Sequence, residues 1–306
     1  MISVVEKKSL AFGPAKIKER KKTEMKKMVY VTALSLAAGI FADTSMKASS
    51  GELHREKSWD NGLPSASNPG TIDIKGSWAV NGATVFADWV VTQKEGTISR
   101  SVTSITLNKG AKWRLEGGKI VCTDASSNKA HVRVGESTSG AELIMTGGEI
   151  SADSYFDVCF ESLFRQSGGT VKGAAGCRFS GGGKTFIEGG AGTFGTMSVI
   201  NPGTQIEFSG GAWTASGTLN FGGTTTPDSF IRFAKGDGSL SVGGLALEGS
   251  GFIDFSAGSA GKFSVKNFKA NDFEKLWSRG KIRFNASSRG NFADLFVVEK
   301  NTLKLK

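Results

Sequence analysis

Short runs of alternating apolar and polar residues recur along most of this chain, and glycine-rich turns separate them. Four of these runs, LIMTGG, LFRQSGG, TFIEGG and IEFSGG, end in glycine pairs at Gly147-Gly148, Gly168-Gly169, Gly189-Gly190 and Gly210-Gly211. Each pair follows the previous one by 21 residues. Alternation over four to six residues is typical of β-strands, and glycine is typical of the turns that bound them. The pattern therefore predicts a structural repeat of about 21 residues.

A second apolar stretch lies midway through each repeat, with the sequences YFDVCF, GCRFSG, TMSVINPG and TLNFGG. Two short strands cannot bury an apolar face alone, but units stacked at the strand spacing of ~4.8 Å share a continuous core. We therefore predict an all-β fold, a single-stranded parallel β-solenoid (β-helix) with roughly 21-residue coils and roughly eight coils in all. Residues 21 apart should then form stacked columns, of which two are Leu143, Phe164, Thr185, Ile206 and Met145, Gln166, Ile187, Phe208.

One interval upstream is longer than the period. The glycine pair in WRLEGG (113–118) stands 30 residues before the next pair, which is one repeat plus nine residues. Polar segments between strands run over the surface of a fold and tolerate insertions. We therefore predict that TDASSNKA (123–130) holds the excess as a surface loop.

A helix is predicted after the last repeat, over ANDFEKLWSRGK (270–281). Asn271 with Glu274 three residues later fits a capping box, and Gly280 is suited to end the helix. Its apolar side chains fall on one face, which predicts a short helical cap over the last coil. Strand-like segments KIRF, LFVV and TLKL follow it.

The first 42 residues have the layout of a secretory signal. In MKKMVYVTALSLAAGIFA (25–42) two lysines precede an apolar run that ends at a small residue. The run is shorter than the about 20 residues that span a bilayer, so we expect no integral membrane segment after cleavage. We also expect translation to begin at Met25; a leader with a long basic region that starts at Met1 is the alternative. The predicted organisation is a signal peptide (1–42), an N-terminal linker or cap (43–80), the repeats (81–268) and the C-terminal helix and strand cap (269–306).

Removing this leader changes the charge of the chain. The whole sequence has 38 basic and 28 acidic residues, whereas residues 43–306 have 29 and 25. The strongly basic character thus belongs to the leader, and we expect no nucleic-acid partner. Glycine makes up 40 of those 264 residues, well above the usual ~7 per cent, as a fold with many turns requires.

The three cysteines, Cys122, Cys159 and Cys177, are an odd number for an oxidising compartment. A bridge between Cys159 and Cys177 is one interpretation, and buried free thiols are the favoured one because apolar residues flank them. The two histidines, His54 and His131, stand at no metal-ligand spacing from a cysteine. We therefore predict no metal site and no cofactor.

Stacking at 21-residue intervals brings one set of charged residues together, namely Glu136, Asp157 and Arg178. Converging carboxylates are what general acid and base catalysis requires, so these are the catalytic candidates if the protein is an enzyme. A solvated ladder of charges is the favoured interpretation. The run SGGGKT (180–185) lacks the spacing of a phosphate-binding loop, and its glycines belong to the repeat.

Tryptophans offer a different kind of site. Several of them on one exposed face would form a stacking platform for sugars, although such residues more often fill a core. The six are Trp59, Trp78, Trp89, Trp113, Trp213 and Trp277.

The phrases FRQSGGTV, LIMTGGEI and TFIEGGAG resemble the repeats of bacterial autotransporter passengers and related exported β-solenoid proteins. The ending FADLFVVEKNTLKL is similar to the way such proteins finish, and from the residues after the repeats we expect neither an outer-membrane barrel nor a sorting tail. The resemblance implies a surface, matrix or secreted structural role and assigns no functional residue.

We therefore expect an exported, non-enzymatic repeat protein at the cell surface, in the periplasm or outside the cell, as a spacer or adhesin-like element. Its expected partners are cell-surface or extracellular polysaccharides or proteins. One alternative is a carbohydrate-active β-helix enzyme, a polysaccharide lyase or hydrolase, with a site near Asp157 and Arg178. The other is a glycan-binding module.

Overall fold

The computed structural model describes residues 43–81, 85–124, 129–137, 140–200, 202–222 and 229–306. These residues form a parallel β-solenoid of about nine turns, each of about 22 residues, which confirms the predicted fold class. The leader 1–42 and the middle of the predicted loop at 123–130 lie outside the described residues.

Short strands make up most of the described chain. They are β1 (Thr44–Ser45), β2 (Ser50–Glu52), β3 (Gly70–Ile72), β4 (Ser77–Ala79), β5 (Val85–Ala87), β6 (Val90–Gln93), β7 (Thr97–Ser101), β8 (Ile105–Asn108), β9 (Lys112–Leu115), β10 (Lys119–Thr123), β11 (Val132–Val134), β12 (Glu142–Met145), β13 (Glu149–Ala152), β14 (Tyr155–Val158), β15 (Leu163–Gln166), β16 (Thr170–Ser180), β17 (Lys184–Ile200), β18 (Gln205–Gly222), β19 (Phe230–Phe233), β20 (Ser239–Leu247), β21 (Phe252–Phe255), β22 (Lys262–Val265), β23 (Ile282–Phe284), β24 (Phe296–Glu299) and β25 (Thr302–Leu305). Two short helices, α1 (Ala270–Ser278) and α2 (Phe292–Leu295), lie near the C-terminus.

The strands stack as three parallel ladders, which we call sheets A, B and C. Sheet A contains β1, β3, β6, β9, β12, β15, β19, β21, β23 and the first parts of β17 and β18. Sheet B contains β2, β4, β7, β10, β13, β22 and parts of β16, β17, β18 and β20. Sheet C contains β5, β8, β11, β14 and the last parts of β16, β17, β18 and β20. The core lies between the three sheets.

The predicted columns hold in sheet A. Leu143 pairs with Phe164, Phe164 with Thr185 and Thr185 with Ile206, and the column from Met145 to Phe208 is likewise in register. All of these side chains are buried. The 21-residue period therefore sets the register through this part of the solenoid.

The paired glycines form the corners between sheets A and B, and each of the two has its own physical reason. The second glycine of a pair has a left-handed backbone, with φ of +72° at Gly169 and +75° at Gly190. A Cβ on the first, Gly168, would lie 2.3 Å from the carbonyl oxygen of Thr146 in the coil below. Only glycine avoids both conflicts, which explains the regular Gly-Gly signal.

The nine-residue excess is divided between two corners. Val132 follows Ile120 by twelve positions, whereas the stacked residues one coil later, Phe156 and Ile150, are six apart. Leu143 follows Val132 by eleven positions, whereas Phe164 follows Phe156 by eight. The prediction that the loop at 123–130 holds the whole excess is therefore wrong, because three of the nine residues lie between sheets C and A.

Sheets A and B already include residues 44–79, since Thr44 pairs with Gly70 and Ser77 with Thr97. The strand ladders thus extend further toward the N-terminus than residue 81, where we expected the repeats to begin.

The C-terminal cap contains the predicted helix, although its start differs. Helix α1 has Lys269 as its N-cap, and the backbone N–H of Lys269 donates to the Asp272 carboxylate at 2.9 Å. The predicted pairing of Asn271 with Glu274 is therefore wrong by two positions. Phe273 packs against Phe263 of the last coil, and β25 pairs antiparallel with β22, so helix and strand cover the end of sheet B.

Candidate functional site

Asp157 lies on the outer face of sheet C, yet it is buried. Its neighbours Phe156 and Val158 point into the core, so strand alternation directs Asp157 outward. The side chain is nevertheless only 2 % exposed. A buried carboxylate requires partners, since an unpaired buried charge is strongly unfavourable.

Three side chains supply those partners. Arg178, directly above Asp157 in the next coil, donates from Nε to Oδ1 and from Nη2 to Oδ2, both at 2.8 Å. Arg133, directly below, donates from Nε to Oδ2 at 3.2 Å. His131 Nδ1 lies 2.9 Å from Oδ2 of Asp157 and 2.9 Å from Nη2 of Arg178, so it donates to the carboxylate when it carries a proton and accepts from the guanidinium when it does not. One carboxylate thus ties three coils together.

These contacts decide the protonation state of Asp157. Burial alone would raise the pKa of its carboxyl, but the hydrogen bonds and charges of Arg178 and His131 outweigh that effect and lower the pKa below 3.8. The hydrogen bond to Asp157 in turn raises the pKa of Arg178. The pair is therefore ionised at neutral pH, which suits an ion pair and not a general acid.

Glu136 does not join the predicted stack. The residue below Asp157 is Arg133, 24 positions earlier, because three extra residues follow β11. Glu136 lies beyond the end of that strand, where its carboxylate accepts a hydrogen bond from Nη1 of Arg133. The predicted stacking of Asp157 on Arg178 is confirmed, and that of Glu136 on Asp157 is wrong.

Tyr155 makes aromatic contacts with two of the side chains that bind Asp157, Arg178 and His131. The guanidinium of Arg178 lies 4.2 Å from the ring centroid of Tyr155, within the range of a cation–π interaction. The His131 ring packs against Tyr155 at a centroid distance of 5.4 Å. Tyr155, Arg133 and His131 are outside the set of candidates predicted from the sequence. The last two directly follow the long insertion, where the 21-residue spacing no longer indicates which residues stack.

A groove of about 270 Å³ opens beside the ion pair at the corner between sheets C and A. Two large apolar side chains on its wall are exposed, Phe160 by 43 % and Ile200 by 36 %. The other lining residues are Arg133, Gly135, Glu136, Asp157, Cys159, Arg178 and Ser180.

All three cysteines are free thiols, so the interpretation with a Cys159–Cys177 bridge is wrong. Burial raises the pKa of Cys122 to about 12 and raises the pKa of Cys159 and of Cys177 as well. Low thiolate content makes these groups poor nucleophiles at neutral pH. Within the described ranges, no group of three His, Cys, Asp or Glu side chains lies close enough to hold a metal ion.

The tryptophans fill the core. Five of the six are buried, and Trp89 is half-buried against Trp59 and Phe86. They therefore form no exposed stacking platform. The glycines of SGGGKT likewise serve a corner: Gly181 and Gly182 have φ of +58° and +77°, and strand β17 follows them where a phosphate-binding loop would have a helix.

Comparison with known proteins adds no assignment: no family model, curated protein or solved structure matches the chain. Among the residues described, none of the helices has the length and apolar character needed to cross a membrane.

Proposed function

We propose that this protein is a non-enzymatic β-solenoid that acts outside the cytoplasm as a structural or surface element, a spacer or adhesin-like protein. About nine turns at the strand spacing give a rod on the order of 40 Å long. The leader at 25–42 supports export.

The non-enzymatic assignment rests on one observation, that hydrogen bonds from Arg178 occupy both carboxylate oxygens of Asp157. Glycoside hydrolysis uses two carboxyl groups on either side of the bond, one of them an acid with a raised pKa. Asp157 is buried with a lowered pKa, and both of its oxygens accept hydrogen bonds from Arg178. Glu136, the second candidate carboxylate, is bound to Arg133. With its pKa lowered and both oxygens engaged, Asp157 is not placed to donate a proton to a substrate at neutral pH.

Incubation of residues 43–306 with a panel of neutral and acidic polysaccharides tests this assignment. We expect neither new reducing ends nor unsaturated products. Cleavage that Asp157→Asn abolishes and Asp254→Asn retains would instead support the enzyme alternative, because Asp254 forms a comparable ion pair elsewhere.

Export is tested separately. Residues 25–50 fused to a reporter enzyme that is active only outside the cytoplasm should give activity, whereas the same reporter fused to residues 43–50 should not. Equal activity from the two fusions would contradict a leader at 25–42.

A further inference from the structure

The groove beside Asp157 combines features that the ion pair alone does not require. Phe160 and Ile200 are two of five large apolar side chains that are exposed among the described residues, and both line this one groove. A cluster of exposed apolar groups next to polar side chains is typical of a ligand site.

The backbone conformation at Phe160 is unfavourable for a bulky side chain. Phe160 has φ of +51° and Glu161 has φ of +55°, in the left-handed region that disfavours bulky side chains. One coil later, Gly181 and Gly182 form the same corner with positive φ. Phe160 and Glu161 donate their N–H groups to the carbonyl oxygens of Ser180 and Gly181, contacts that glycines at 160 and 161 would also provide. The coil therefore does not need a phenylalanine here, and such outliers are found at functional sites.

The polar wall of the groove offers donors and acceptors side by side. Arg178 binds Asp157 through Nε and Nη2, and Arg133 binds Asp157 and Glu136 through Nε and Nη1. Within the described chain, these bonds leave Nη1 of Arg178 and Nη2 of Arg133 for a ligand. The Glu136 carboxylate, 40 % exposed, and the Ser180 hydroxyl add acceptors.

Charge in the groove is balanced, since the two guanidinium groups face the carboxylates of Asp157 and Glu136. We propose that this groove binds a neutral pyranose unit of a glycan, with its C–H face on Phe160 and its hydroxyl groups on the arginines and Glu136. Sugar hydroxyls both donate and accept, which matches paired donors and acceptors, whereas an anion would meet no excess positive charge. The small volume fits a single ring and not a long segment of chain.

Saturation-transfer NMR with methyl β-D-glucopyranoside, methyl β-D-galactopyranoside and methyl α-D-mannopyranoside tests the site, with methyl β-D-glucuronide as the charged probe. We expect at least one neutral glycoside to give a saturable signal and the glucuronide to bind no more tightly. Phe160→Gly should weaken this binding about tenfold or more. Its melting temperature should stay the same or rise, because glycine relieves the left-handed backbone.

A matched pair of variants separates binding from stability. Arg178→Gln removes groove donors together with an ion pair. Arg232→Gln removes an ion pair to the buried Asp254, and neither of these residues lines the groove. We expect only Arg178→Gln to lose glycoside binding.

Any of three results would overturn the site: no signal from any neutral glycoside, tighter binding of the glucuronide, or unchanged binding in Phe160→Gly. A fall in melting temperature of more than about 4 °C in Phe160→Gly would show that Phe160 is a packing residue. The site does not depend on export, so failure here leaves the proposed structural role standing.

Discussion

Among the described residues, two buried aspartates face outward from their strands, Asp157 in sheet C and Asp254 in sheet A. Each lies in register with an arginine of a neighbouring coil, Arg178 after Asp157 and Arg232 before Asp254. Arg232 donates from Nε to Asp254 Oδ2 at 2.9 Å and lies 4.7 Å from the Phe230 ring, much as Arg178 lies over Tyr155.

The surroundings of the two pairs differ. Asp254 Oδ1 accepts from the backbone N–H of Ala286 at 2.8 Å, so this pair fastens the C-terminal segment onto the last coils. Both aspartates lie in register with an arginine on either side, Asp157 with Arg133 and Arg178 and Asp254 with Arg232 and Arg283. Asp157 instead has a histidine and an open groove with the exposed Phe160. A buried aspartate–arginine pair is therefore a way of holding coils together in this fold. What distinguishes the Asp157 region is the groove.

Removal of each aspartate should give the largest difference between the two regions. Asp157→Ala leaves Arg178, Arg133 and His131 facing one another without a carboxylate, and we expect a loss of about 3–5 kcal/mol in the free energy of unfolding. Asp254→Ala leaves Arg232 and the in-register Arg283 but no histidine, so we expect a smaller loss of about 2–3 kcal/mol. Urea unfolding of both variants measures the difference. A larger loss for Asp254→Ala would contradict the view that the Asp157 cluster holds more charge in place.

Sequence periodicity predicted the Asp157–Arg178 pair and missed the other two partners of Asp157, Arg133 and His131. Asp157 and Arg178 lie in the stretch with constant 21-residue spacing, so their stacking could be read directly. Arg133 and His131 follow a corner with extra residues, and a second insertion after β11 moves Glu136 out of register. Spacing alone cannot say how an insertion divides between two corners, because both are polar surface turns.

Buried polar residues in the core show a second limit. Gln166 interrupts an apolar column, yet the register holds because Nε1 of Trp213 donates to its side-chain oxygen at 2.9 Å, and its amide nitrogen donates to Gly169 and Ala191. Trp213 is 47 residues away in sequence and two coils away in space. A local pattern contains no sign of such a contact. Hydrophobic alternation alone therefore cannot distinguish a buried glutamine with satisfied hydrogen bonds from a strand that is out of register.

Acid should weaken the Asp157 cluster in a defined pH range. Asp157→Asn keeps the shape and removes the charge, and we expect a loss of about 2 kcal/mol at pH 7. Because the pKa of Asp157 is lowered in the folded state, its contribution is complete above the pKa of an unfolded aspartate, about 3.9, and is lost as the pH falls through the folded value. The difference between wild type and variant should therefore shrink only below about pH 4. Denaturant unfolding at pH 7, 5, 4 and 3 measures it; a difference that shrinks from pH 6 would contradict the lowered pKa.

Lysine substitutions compare the geometry of the two arginines. Arg178→Lys keeps the charge but gives up two hydrogen bonds of fixed geometry and the contact with Tyr155, for an expected loss of about 1–2 kcal/mol. Arg232→Lys gives up one such bond and should lose about 1 kcal/mol or less. Thermal and urea unfolding of the two variants, side by side, measure this order. Equal losses would mean that the second bond of Arg178 adds nothing to stability.

The smallest effect concerns the strained corners beside each aspartate. Ala286, whose N–H binds Asp254, is exposed and has φ of +62°, so glycine keeps the hydrogen bond and removes the steric conflict. Because glycine also adds freedom to the unfolded chain, we expect Ala286→Gly to raise the free energy of unfolding by only about 0.5 kcal/mol. The control is Ala257, an exposed alanine whose φ is not positive. Ala257→Gly should lower the free energy of unfolding by a similar amount. Urea unfolding measures both signs, and a destabilising Ala286→Gly would show that the left-handed corner carries no removable strain. The expectation that Phe160→Gly is no less stable than the wild type rests on the same reasoning and would then fail as well.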